Sequence, residues 1–85
     1  MKFKATVFVR LRANVSDSAG NAVKDAAKRI EGVDLDIDRL RLGKAIDIEF
    51  HSFNQQTAEE QLATLSDRLL ANTVIEDWSY EVQEA

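Results

Sequence analysis

The stretch from Lys2 to Arg12 alternates so regularly that only an extended backbone satisfies it. Phe3, Ala5, Val7, Val9 and Leu11 share one parity, while Lys2, Lys4, Thr6, Arg10 and Arg12 hold the other. Successive side chains of a strand point to opposite faces, so this pattern puts an apolar row on one face and a polar row on the other. A helix would scatter both rows around its circumference. Phe8 is the one apolar residue among the polar positions, which predicts that the polar face is covered in part. A lone strand cannot bury such a row, so the remaining chain has to supply further strands and a covering layer.

Asn14 to Gly20 collects loop and helix-start residues, with Asp17 or Ser18 able to accept backbone N–H bonds as an N-cap. Ala22, Val23, Ala26, Ala27 and Ile30 recur at helical spacing, and Gly32 stands where a left-handed residue would close that helix. Val33 to Phe50 reads as extended. Val33, Leu35 and Ile37 keep one parity; Leu40, Leu42, Ile46, Ile48 and Phe50 keep the other, with Gly43 and Lys44 between. A two-residue hairpin at Gly43-Lys44 would set Leu40 opposite Asp47 on one face. A single strand bent at Gly43, or a three-residue turn over residues 43–45, keeps the pattern in phase, and the bent strand is the preferred reading. Thr57-Ala58-Glu59-Glu60 predicts a capping box, Ala58, Leu62, Leu65 and Leu69 a helical stripe, and Asn72 its close. Val74 to Val82 alternates again as a last strand.

The expected order is therefore β-α-β(-β)-α-β in a single domain, residues 1–85. This is an α+β, two-layer, ferredoxin-like arrangement with an antiparallel sheet and both helices on one face. With 85 residues the core is thin, and small folds draw support from disulfides, metals or a partner surface. No cysteine and one histidine, His51, leave association with another chain as the expected support.

Fifteen acidic against eleven basic residues give a net charge of −4, which argues against nucleic-acid binding. Arg10/Arg12 and Arg39/Arg41 alternate with apolar neighbours and are expected on the outer faces of strands. No apolar run is long enough for a membrane helix, and the N-terminus lacks a signal-peptide block; a cytoplasmic protein is expected. Candidates for chemistry are few. Asp34, Asp36 and Asp38 open like a calcium loop, but Arg39 and Ala45 stand where glycine and glutamate belong. His51 has no orienting partner; Glu49, two positions earlier, is read as a separate exposed group. Gly43-Lys44 is too short for a phosphate loop. Trp78 and Tyr80, beside Glu76 and Asp77, suit either an interface or a one-sided core strand. No catalytic residue and no metal ligand are assigned.

Two stretches carry a family resemblance. Arg41-Leu42-Gly43-Lys44-Ala45-Ile46-Asp47-Ile48-Glu49 resembles the Arg-(Val/Ile)-Gly-Lys segment of PurS proteins and the strand after it. Leu69-Leu70-Ala71-Asn72-Thr73-Val74-Ile75-Glu76-Asp77-Trp78 resembles their Leu-Leu-Ala-Asn-(Pro/Thr)-Val-Ile-Glu-Asp-(Tyr/Phe) stretch, a long and specific match. The opening strand and Gly20-Asn21-Ala22-Val23 also fit. Ser18 stands where the family commonly has proline, and Trp78 replaces a smaller aromatic.

The resemblance implies a small non-catalytic subunit of phosphoribosylformylglycinamidine synthase, in purine biosynthesis. Such a subunit forms a homodimer or tetramer and joins an ATP-dependent, PurL-type synthetase to a PurQ-type glutaminase, so that glutamine-derived ammonia reaches formylglycinamide ribonucleotide. It binds no cofactor itself; ATP and Mg belong to the synthetase. Gly43, Lys44, Asn72, Glu76 and Asp77 are the residues the resemblance assigns to partner contact. The rival class is a ferredoxin-like small-molecule regulatory or dimerisation module, which a metabolite-dependent thermal shift without a purine partner would mark.

Overall fold

The computed structural model describes residues 1–85. Strand β1 (Lys2–Leu11) leads to helix α1 (Ser18–Ala27), strand β2 (Gly43–His51), helix α2 (Gln55–Leu65), a π-helical turn (Ser66–Leu70) and strand β3 (Glu76–Glu84). The three strands form one antiparallel sheet in the order β2-β1-β3. The α+β class, the antiparallel sheet and the two helices are those expected. The optional fourth strand does not form, because residues 33–42 lie outside any ladder.

The alternation of β1 becomes burial directly. Phe3, Ala5, Val7 and Val9 are buried, and their neighbours Lys2, Lys4 and Arg10 are exposed. Register sets Ala5 between Ile48 and Val82, and Val7 between Ile46 and Tyr80. Leu62 of α2 and Ala71 close the core over β1. Phe3 stacks on Phe50 with ring centroids 5.7 Å apart. Trp78 Nε1 donates to Asp67 at 3.2 Å and the Tyr80 hydroxyl to Glu59 at 3.3 Å, tying the covering layer to β3. Burial and the neighbouring Glu59 carboxylate push the Tyr80 phenol above its ordinary pKa.

On the opposite face the sheet is polar. Lys2 and Lys4 flank Glu49 at 3.9 Å each, and Thr6 Oγ1 donates to Asp47 at 2.8 Å. Exposed pairs of this kind contribute at most about 1 kcal/mol. Phe8 is half-buried there, with the small residues Ala45 and Ser79 as its cross-strand neighbours.

Several local expectations need correction. Strand β2 starts at Gly43, so neither a bend nor a hairpin forms there. Arg39 and Arg41 do not lie on a strand face: the Arg39 guanidinium donates to the Ala13 carbonyl, and that of Arg41 to the carbonyls of Leu11 and Arg12. These side-chain bonds take the place of ladder bonds in the segment before β2. Helix α1 stops at Ala27, short of Ile30, and Gly32 takes its left-handed φ of 89° in the turns beyond. Asn54, not Thr57, caps α2, its side chain accepting from the Thr57 N–H at 2.7 Å.

The stripe expected to run on through Leu65 and Leu69 ends early. The Ala71 N–H reaches back five residues to the Ser66 carbonyl at 2.9 Å, and this π turn rotates the following residues around the axis. Ser66 is buried with its hydroxyl donating to the Leu62 carbonyl at 2.8 Å, Ala71 enters the core, and Leu69 is 72% exposed. Asn72 does not close the helix in a left-handed conformation, since no residue other than Gly32 has positive φ. Val74 lies in the turn before β3 and is 81% exposed.

The placement of α1 differs most from expectation. Both helices were expected on one face of the sheet, yet no side chain of α1 belongs to the core or packs against it, and Gly20 is its only buried residue. The helix rests instead on its own connector. Gly20 approaches so closely that a Cβ there would stand 2.6 Å from the Leu40 carbonyl oxygen, and Lys24 Nζ donates to the Asp38 carbonyl at 2.8 Å.

Candidate functional site

The five residues assigned to partner contact converge on one end of the sheet, where β1 finishes and β2 and β3 begin. Arg10 stands between Gly43 on one side and Asp77 on the other; Leu11 is opposite Glu76, and Val9 opposite Lys44. Asn72 joins them through the turn that precedes β3. This convergence follows from the antiparallel register, which brings residues far apart in the chain to the same edge.

Four of the five have a local structural task, and Lys44 has none. Asn72 organises the turn: its Oδ1 accepts from the Val74 N–H at 3.2 Å, and its carbonyl accepts from the N–H groups of Ile75 and Glu76 at 3.0 and 2.7 Å. The Glu76 carboxylate accepts from the Asn72 N–H at 2.8 Å, closing the turn on itself. Asp77 faces Arg12, with Nε to Oδ1 at 3.4 Å, and Arg12 further donates to the Thr73 carbonyl. Gly43 lets two backbones come close, since a Cβ there would lie 2.8 Å from Arg10 Cγ and 2.9 Å from the Val9 carbonyl oxygen. Lys44 is exposed and makes neither an ion pair nor a side-chain hydrogen bond. Of the five, Lys44 carries the one charge with no partner, while Asp77 and Glu76 each keep one carboxylate oxygen unpaired.

Sequence reasoning missed the residue that holds this end together. Asp17 caps α1 by accepting from the Gly20 N–H at 2.8 Å and also accepts from the Leu42 N–H at 3.0 Å. The N–H of Leu42, that of Gly20 and the neighbouring Arg41 guanidinium hold its carboxyl below the ordinary carboxylate pKa, against a smaller opposing effect of desolvation. The sequence offered the capping role to Asp17 or Ser18, and Asp17 takes it; the bond to Leu42 joins positions 25 residues apart and leaves no local trace. The same holds for Arg39 and Arg41, whose carbonyl partners lie on the far side of α1 in sequence.

The cavity at this end of the sheet, bordered by Asp17, Gly43, Lys44 and Glu76, is lined by no serine, threonine, cysteine or histidine. His51 is exposed at the other end of β2, opposite Lys2. Asp34, Asp36 and Asp38 lie exposed in the connector, and no three His, Cys, Asp or Glu residues are grouped closely enough to hold a metal. What the arrangement offers is a charged rim tied by its own hydrogen bonds.

Comparison with known proteins gives this rim a context. The family model PurS, described as phosphoribosylformylglycinamidine (FGAM) synthase, matches residues 4–84. The chain is 38% identical over 80 residues to the phosphoribosylformylglycinamidine synthase subunit PurS of Synechocystis, covering 94% of this chain and 78% of that protein. It superposes on the structure of Thermus thermophilus PurS with a TM-score of 0.86 at 29% identity, covering 100% and 99% of the two chains. It also superposes on a chain in the structure of PurLQS from Thermotoga maritima, with a TM-score of 0.82 at 34% identity and the same coverage.

Proposed function

The chain belongs to the PurS family of FGAM synthase subunits in purine biosynthesis, and from that premise we propose that it is the non-catalytic piece joining a PurL-type synthetase to a PurQ-type glutaminase. The observation that carries this reading is its likeness, over the whole chain, to a chain in the PurLQS structure. By holding the two enzymes together it raises the effective concentration of one at the other. Ammonia released from glutamine then reaches formylglycinamide ribonucleotide before it escapes into water. ATP and Mg are handled by the synthetase, and residues 1–85 act as one unit with no cofactor of their own. The setting is the cytoplasm; no helix is long and apolar enough to cross a membrane.

The rim of Gly43, Lys44, Asn72, Glu76 and Asp77 is the proposed contact surface, with Lys44 and Asp77 the groups that read the partner. Shape supports a homo-oligomer, dimer or tetramer. The isolated chain exposes 6266 Å², whereas a folded monomer of 9.6 kDa presents about 5,100 Å². Its radius of gyration is 16.6 Å, against about 12 Å for a compact chain of this length.

Reconstitution tests the function. With synthetase, glutaminase and this chain mixed, glutamine-dependent FGAM formation is expected to require all three, while ammonia-dependent formation needs only the synthetase. A full glutamine-dependent rate without this chain would remove the bridging role. Lys44→Glu is expected to weaken co-purification of the partners and leave the melting temperature unchanged; unaltered assembly would take Lys44 out of the interface.

A further inference from the structure

Two guanidiniums of this chain are held in place without a counter-charge. The ion pairs engage Lys2, Lys4 and Arg12. Arg39 and Arg41 hydrogen-bond only to backbone: Arg39 donates to the Ala13 carbonyl at 2.7 Å, and Arg41 to the Arg12 carbonyl at 2.8 Å and to that of Leu11. A carbonyl carries no net charge, so these bonds fix both side chains and leave their charge uncompensated. A guanidinium presents several N–H donors in a planar fork, so each keeps donors beyond those bonds.

Both arginines border one open hollow of about 310 Å³, between the start of α1 and the connector that follows the helix. Its other polar walls are Asn14, Ser16, Asp17 and Asn21. Asn14, Ser16 and Asn21 are exposed, and their side chains make no hydrogen bond within the chain. Asp17 is the single carboxylate in the wall. Both its oxygens are taken, by the N–H groups of Gly20 at 2.8 Å and Leu42 at 3.0 Å. Two guanidiniums against one carboxylate leave the hollow with a positive excess, on a chain whose net charge is −4. Fixed cationic forks and free amide and hydroxyl donors thus border the same space, a donor set that suits a multiply charged oxyanion.

We propose that this hollow binds a phosphate group, with Arg39 and Arg41 as its charge partners and Asn14, Ser16 and Asn21 as neutral donors. A phosphate group presents three terminal acceptor oxygens and close to two negative charges. It can therefore engage the guanidiniums of the connector and the donors around the start of α1 together. A carboxylate has fewer oxygens and half the charge. The volume lies at the lower end of the ~300–1,000 Å³ range of small-molecule sites, which fits free phosphate or a small phosphorylated molecule. Bound there, phosphate would fasten the connector to the start of α1, where Asp17 already joins Gly20 to Leu42. Gly43 and Lys44 of the rim follow directly.

Phosphorus-31 resonance titrations of the folded chain test this, with inorganic phosphate in one arm and ribose 5-phosphate in the other. Ionic strength is held constant with chloride. Saturable line broadening in the millimolar range is expected in at least one arm. Arg39→Gln removes a charge-assisted bond and Asn21→Asp adds a repelling carboxylate; each is expected to weaken binding by about tenfold or more. Asn21→Asp places an acid in the first turn of α1, where the helix dipole favours it, so its melting temperature is expected to hold while binding is lost. Tighter binding of ribose 5-phosphate assigns the site to a phosphorylated sugar, and equal or weaker binding assigns it to free phosphate; both support the site. No saturable binding in either arm, or binding that both variants retain unchanged, overturns the inference and leaves the bridging role standing.

Discussion

Phe3 has no exposed surface and stacks on Phe50, so its loss opens a cavity that the flanking strands cannot close. Phe3→Ala is expected to cost about 3 kcal/mol, a large share of the roughly 5 kcal/mol a domain this small commands; a urea titration should show the midpoint fall accordingly. Gly20→Ala would drive a Cβ against the Leu40 carbonyl and the Asp17 carboxylate, and backbone cannot yield as a flexible side chain can. Asp17 links stability to pH. Its folded pKa lies below the ordinary value, so its contribution is present above the unfolded pKa and is lost as pH falls through the folded one. Thermal melts carried from neutral pH down to about pH 2 are expected to show this loss below the ordinary carboxylate range. Asp17→Asn should be less stable at neutral pH and flatter toward acid; an acid limb as steep as that of the unaltered chain would assign the effect to other carboxylates.

Among the elements, α2 separates cap from pattern. Thr57 and Glu60 have the spacing of a capping box, but Asn54 begins the helix three residues earlier and takes the Thr57 N–H. Asn54→Ala is therefore expected to cost about 1 kcal/mol, and Thr57→Ala less than about 0.5 kcal/mol. Equal costs, measured by chemical denaturation, would restore the predicted box. The π turn at the end of α2 has a comparable logic. One extra residue in the turn moves Leu69 outward and brings Ala71 in against the core, where a large side chain would not fit as well above β1. In β3 the alternation survives intact, with Trp78, Tyr80 and Val82 turned to the covered face.

Taken as a whole, the molecule is a thin sheet with one helix on it and one helix beside it. Such a shape leaves apolar area that a monomer cannot hide, so self-association is expected to add to the stability of the fold. Its melting temperature is expected to rise with protein concentration, because mass action stabilises an oligomer that binds only folded chains. A melting temperature independent of concentration over two orders of magnitude, by about that range of dilution, would separate the two processes.

Periodicity, composition and motif were determined by the sequence alone. The alternation of β1 and β3, a cap at Asp17 or Ser18, the lack of cysteine and the long stretch from Leu69 to Trp78 sufficed for the fold class and the family. These are properties of neighbouring residues, and steric preference expresses them wherever the chain is extended or helical. Tertiary structure decided where each unpaired N–H and carbonyl found its partner. Arg39 and Arg41 left strand geometry for the carbonyls of residues 11–13, Asp17 reached Leu42, and α1 stayed on its connector instead of crossing onto the sheet. Each of those choices is a competition between contacts distant in sequence, and a single hydrogen bond in it is worth only about 1 kcal/mol net. A difference that small and that non-local leaves no mark on the spacing of residues along the chain.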